Sequence, residues 1–100
     1  AVASSMTFTG DKATWMSAAG IAPSDWGYVD YIISHESGWR PDARNSIGCL
    51  GLAQACPGQK ILNVCPTLDP VCQLQWANGY AGRYGGWAGA YNAWLRQHWW

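Results

Sequence analysis

The stretch Ser24-Asp25-Trp26-Gly27-Tyr28-Val29-Asp30-Tyr31-Ile32-Ile33-Ser34-His35-Glu36-Ser37-Gly38 decides how this chain is read. Pro23-Ser24 marks a helix start and Gly38 its stop. Between them Val29, Ile32, Ile33 and Glu36 repeat as i, i+3, i+4, i+7, so they share one helical face with Trp26 beside them. Glu36 is the only glutamate in the chain, and the pattern puts it on the apolar side. Burial disfavours the charged form of a carboxyl and raises its pKa. A carboxylic acid that keeps its proton near neutral pH suits general-acid catalysis. The plainer alternative is a helix-end glutamate whose head reaches water past Gly38. Helix position alone favours that alternative; the residues that follow favour the acid.

The rest of the chain frames this helix. The 100 residues predict a single domain over 1–100 with a small core. Residues 1–10 are small and polar and read as an extended lead-in. They lack the basic and apolar regions of a signal peptide, which predicts a mature form or an excised domain. Six Lys and Arg balance six Asp and Glu with no basic block, so nucleic acid is not expected as a partner. No apolar run approaches the about 20 residues of a membrane span. Asp11 predicts a helix running to Ala19 with Gly20 as its stop. A short helix is expected over Pro57–Leu62. Asp69-Pro70 predicts a cap with proline at the first helical position. That helix runs to Tyr84, with Leu74, Ala77, Ala81 and Tyr84 on one face. Gly85-Gly86 breaks it, and a last helix spans Trp87–Gln97. Residues 39–55, with Pro41, Asn45, Gly48 and Gly51, read as a loop with a small β-hairpin. The fold class is therefore α+β, mostly α.

Cys49, Cys56, Cys65 and Cys72 form two Cys-x6-Cys pairs. An even cysteine count in a short chain suits disulfides and an oxidising compartment. Three pairings are possible and the sequence does not choose among them; Cys49–Cys56 with Cys65–Cys72 is favoured because each bond pins one local loop. Zinc is set aside, since Cys-x2-Cys pairs are missing and His35 and His98 lie far off. No metal or organic cofactor is implied. Eight tryptophans and five tyrosines are a large aromatic load. They serve a small core or stack on the apolar faces of sugar rings. Trp15, Trp26 and Trp76 are assigned to the core, and Tyr80 and Trp87 to packing.

Three ordered motifs carry a family resemblance. Glu36-Ser37 opens the first, Gly51-Leu52-Ala53-Gln54 is the second, and Ala90-Tyr91-Asn92-Ala93 is the third. Together they resemble the catalytic core of lytic transglycosylases with a lysozyme-like fold, over Tyr28 to Trp94. The Trp-rich format, with Tyr84-Gly85-Gly86-Trp87 leading into the last helix, is similar to the C-terminal domains of bacterial aggregation-promoting and resuscitation-type wall proteins. The chain departs from the family pattern at Cys56, where methionine is usual, at Gln73 in place of asparagine, and at Trp94 in place of glycine.

The resemblance implies a secreted or wall-associated monomer that cleaves peptidoglycan between N-acetylmuramic acid and N-acetylglucosamine. Glu36 is then the catalytic acid and afterwards the base. Gln54 lines the cleft and binds sugar, Tyr91 orients the glutamate or the sugar, Asn92 follows it, and Ser37 bonds near the helix end. Each has a plainer reading as well: Gln54 as a loop brace, Tyr91 as core, and Ser37 and Asn92 as helix-terminus hydrogen-bonders. Trp39 suits sugar stacking and covering the hairpin equally. Most glycosidases use two carboxylates. Asp42 is the nearest second candidate, and Asp25, Asp30 and Asp69 read as cap or solvent-face residues, so a one-carboxylate mechanism is expected. The competing expectations are lysozyme-type hydrolysis at the same site, a non-catalytic peptidoglycan-binding module, and a small disulfide-stapled structural or inhibitor protein.

Overall fold

A computed structural model describes residues 10–98. The lead-in expected over 1–10 lies outside the described residues except for Gly10, which opens the first helix, and Trp99-Trp100 lies outside them too. Five α-helices follow in order: α1 (Gly10–Ala18), α2 (Trp26–Glu36), α3 (Gln59–Val64), α4 (Pro70–Ala81) and α5 (Trp87–Gln97). Single 3-10 turns precede α2 (Pro23–Asp25) and extend α4 (Gly82–Tyr84).

Local chemistry sets these boundaries. Asp69 caps α4 by accepting from Cys72 N at 2.9 Å, with Pro70 at the first position, whose missing N–H breaks no helical bond. Gly38 adopts φ +64°, and its N–H closes α2 onto the carbonyls of Ile33 and Ser34 at 3.2 and 3.1 Å. Gly85 and Gly86, both at positive φ, turn the chain into α5.

Val29, Ile32 and Ile33 of α2 are buried in one core cluster with Ala90 and Trp94 of α5, Leu74, Ala77 and Ala81 of α4, and Met16 of α1. The predicted α2 face is thus the core face, and Glu36 stands at its last turn. A second, smaller cluster joins Leu50, Ala55, Ile61 and Cys65 beneath the α2–α3 connection. Disulfides pair Cys49 with Cys56 and Cys65 with Cys72, which resolves the pairing in favour of two local loops.

The expected β-hairpin is corrected. Among the described residues there is no strand, only isolated antiparallel bridges from Leu50 to Arg44 and to Ala55. Leu50 and Ala55 exchange both backbone bonds, at 3.0 and 2.9 Å. The pairing stops there because Gly48, Gly51 and Gln54 all take positive φ. A chain that reverses every few residues cannot hold two consecutive residues in register against a partner.

Candidate active site

The α2–α3 connection is shaped by one buried side chain. Gln73 of α4 accepts from Leu52 N at 2.8 Å and donates through Nε2 to the carbonyls of Pro41 and Leu68, both at 2.9 Å. A Cβ on Gly51 would collide with Gln73 Oε1, and φ there is +93°, so only glycine fits. The Gly51-Leu52-Ala53-Gln54 turn is thereby pinned to α4, and Gln54 is presented next to the end of α2.

Gln54 is itself half-buried. Its amide nitrogen donates to Ala43 O and Gly51 O, at 2.9 and 2.8 Å. Both amide hydrogens therefore brace the loop, and the amide oxygen is the polar group left for a ligand. Gln54 thus braces the loop and also stands in the cleft lining.

Glu36 and Gln54 line one open cleft of about 320 Å³. Its walls include Asn45 and Ile47, the Cys49–Cys56 disulfide, Lys60 of α3, and Trp76 and Tyr80 of α4. Trp76 and Tyr80 stack with centroids 5.1 Å apart, one helical turn from each other, and form an aromatic wall. Ile47, 82% exposed, stands at the rim. Glu36 is the one carboxylate in this lining.

The Glu36 carboxyl is half-buried, and burial raises its pKa above the ordinary value. Two neighbours partly oppose this, the Trp94 indole N–H first and the His35 charge second. Trp94 Nε1 is buried without a partner in hydrogen-bond geometry, yet it comes near enough to the carboxyl to favour the carboxylate. His35 turns away from the cleft: Nδ1 donates to Tyr31 O at 2.7 Å, and its ring packs on Tyr31 and Trp94.

The other residues singled out in the sequence lie outside the cleft lining. Ser37 is buried, with Oγ donating to Ile33 O at 3.3 Å at the end of α2. Trp39 is buried against Trp15, donates to Asp30 at 2.8 Å and lies under Lys12, so it packs on the far side of α2. The Tyr91 ring packs on Tyr28 and Tyr31 at 5.2 and 5.1 Å. Asn92 is exposed on α5. Asp42 is exposed and not in the lining, Asp30 binds Lys12, Ser34 and Trp39, and Asp69 is a cap. Among the described residues no three His, Cys, Asp or Glu side chains come together as a metal site.

Asn45, Lys60, Trp76, Tyr80 and Trp94 are the site residues that sequence reasoning missed. For Trp76 and Tyr80 a signal existed, since i, i+4 aromatics flanking the apolar face of α4 mark a boundary between core and surface. No protein-family model, no curated protein and no solved structure matches the chain.

Proposed function

We propose that the chain is a lytic transglycosylase of the lysozyme-like class, cleaving the β-1,4 bond between N-acetylmuramic acid and N-acetylglucosamine in peptidoglycan. The observation that carries this reading is Glu36, a carboxyl with raised proton affinity and the one acid lining a cleft that also holds Gln54 and an aromatic wall. A single carboxylate suits acid and base work in turn. Protonated Glu36 gives its proton to the glycosidic oxygen as the bond from C1 breaks. The acetamido group of the substrate stabilises the positive charge at C1, as in substrate-assisted glycosidases. The Glu36 carboxylate then takes the proton of the sugar's own 6-hydroxyl, whose oxygen closes on C1 to give a 1,6-anhydro end. Glu36 finishes protonated and ready for another cycle.

Further support comes from the Glu36-Ser37 and Gly51-Leu52-Ala53-Gln54 motifs, which meet at the cleft, while the Ala90-Tyr91-Asn92-Ala93 motif packs α5 onto α2. Two disulfides suit a secreted or wall-associated protein, acting as a monomer. No described helix is long and apolar enough to cross a membrane. The test is digestion of purified peptidoglycan with product identification by mass spectrometry. Anhydro-muropeptides are expected; reducing ends would replace the reading by hydrolysis, and binding without products would reduce it to a wall-binding module. Glu36→Gln is expected to lower turnover by about 10²–10⁴-fold while wall binding persists.

A further inference from the structure

We infer that Lys60 is a specificity-determining residue of this cleft, binding a carboxylate carried by the glycan and so favouring muramyl glycans over uncharged chitin-type chains. The inference rests on the glycan-cleaving reading above and adds the feature of the sugar that is selected.

Glu36 and Lys60 are the two charged side chains in the cleft lining. None of the other lysines or arginines lines the cleft, and three of them have partners of their own. Lys12 pairs with Asp30 at 3.2 Å, Arg40 donates to Ser37 O at 3.1 Å, and Arg83 lies over the Tyr80 ring at 4.8 Å. Lys60 sits in the first turn of α3, exposed, with no carboxylate in ion-pair range among the described residues. Its neighbours on that helix, Gln59 and Asn63, bond to each other at 2.8 Å, and Lys60 itself lines the cleft.

Lys60 and Glu36 line the same cleft without forming an ion pair, which leaves the ammonium free to meet a substituent of a bound chain while the acid works at the scissile oxygen. A chito-oligosaccharide offers no anion to Lys60. A muramyl residue does, either through its lactyl carboxylate or through the carboxylates of an attached peptide. A lysine is a flexible point charge and accepts a carboxylate from either source without bidentate geometry. Its exposure makes the contribution modest and sensitive to salt.

The test compares the wild-type chain, Lys60→Ala and Lys60→Arg on three probes: chito-oligosaccharides, muramyl glycan stripped of peptide, and peptide-bearing muramyl glycan. Lys60→Ala is expected to raise KM for a carboxylate-bearing probe about fivefold, the scale of an exposed ion pair, with kcat nearly unchanged. Lys60→Arg restores it, added salt erases the difference, and KM for chito-oligosaccharide does not move. The probe that suffers identifies the source of the carboxylate. Equal effects of Lys60→Ala on all three probes, or none on any, overturn the inference while leaving the glycan-cleaving reading standing. A wild-type chain that neither binds nor cleaves any of the three overturns both.

Discussion

The buried indole N–H of Trp94 makes no hydrogen bond of good geometry, and it is the neighbour that most opposes the raised proton affinity of the Glu36 carboxyl. An unpaired buried donor costs about 1–3 kcal/mol. Trp94 is held there by its ring, which packs on Tyr31 and lies between the rings of His35 and His98 at 4.8 and 5.2 Å. The arrangement makes sense for a carboxyl that alternates between two states. The protonated acid is favoured by burial, and the carboxylate that forms when the proton leaves has a donor waiting beside it.

Trp94→Phe tests this directly. The ring stays and the N–H goes, so the carboxylate loses the neighbour that most favours it and Glu36 holds its proton to higher pH. The side-chain carbonyl of Glu36, followed by NMR, should titrate at higher pH than in wild type, and the limb of the kcat profile set by that group should move the same way. The smaller ring costs about 1–2 kcal/mol of packing. A titration midpoint that stays put or falls would show that the indole nitrogen does not act on the acid.

The raised proton affinity of Glu36 also predicts how stability follows pH. An unfolded chain releases this proton near the ordinary value of 4.5, whereas the folded chain keeps it to higher pH. Between the two values the native state binds more protons, so unfolding free energy falls as pH rises. The contribution is fully present below the unfolded value and is lost as pH climbs through the native one. Glu36→Gln has no proton to lose. Urea unfolding at about pH 5 and about pH 7 should show wild type losing ground to Glu36→Gln at the higher pH. A gap between the two proteins that is equal at both pH values contradicts a buried acid.

Features of the fold written into neighbouring residues were legible in sequence. Asp69-Pro70 caps α4 and Gly85-Gly86 opens α5, because a cap or a left-handed turn is settled within one turn of chain. The i, i+3, i+4, i+7 pattern put Glu36 at the edge of the core. The α2–α3 connection was not legible, because its form is imposed from afar. Gln73 fixes Leu52 from 21 residues away and Pro41 from 32. No local pattern predicts that a buried glutamine will replace a strand ladder as the partner of that backbone. Trp39 and Tyr91 were ambiguous for a related reason. A tryptophan beside a glycine or a tyrosine on a helix packs or binds according to which neighbour arrives, and here Asp30 and Tyr28 arrive first.

Gln73 is therefore expected to matter more than its position in α4 suggests. Gln73→Ala removes three hydrogen bonds and strands the Leu52 N–H with the Pro41 and Leu68 carbonyls. The loss should be about 2–4 kcal/mol, read as a lower urea midpoint at unchanged slope. Amide exchange at Leu52 should accelerate, and turnover should fall because the turn carrying Gln54 is no longer pinned. A loss below about 1 kcal/mol would mean that water or a rearranged loop replaces the glutamine.

The two disulfides separate stability from function. Each joins cysteines seven residues apart, so chain entropy assigns both the same stabilisation, about 2–3 kcal/mol. Their surroundings differ. Cys49 and Cys56 line the cleft together with Glu36, while Cys65 and Cys72 tie the end of α3 to the start of α4 outside its lining. Replacing either pair by serine should lower the thermal midpoint by a similar amount. Under the proposed glycan-cleaving function, only Cys49→Ser/Cys56→Ser should also raise KM for the glycan, because that bond forms part of the cleft wall. Calorimetry and steady-state kinetics on the two double variants decide it. Equal kinetic effects would mean that the bond at the rim acts on stability alone, and that the loop carrying Gln54 keeps its shape through Gln73 and the Leu50–Ala55 pairing without it.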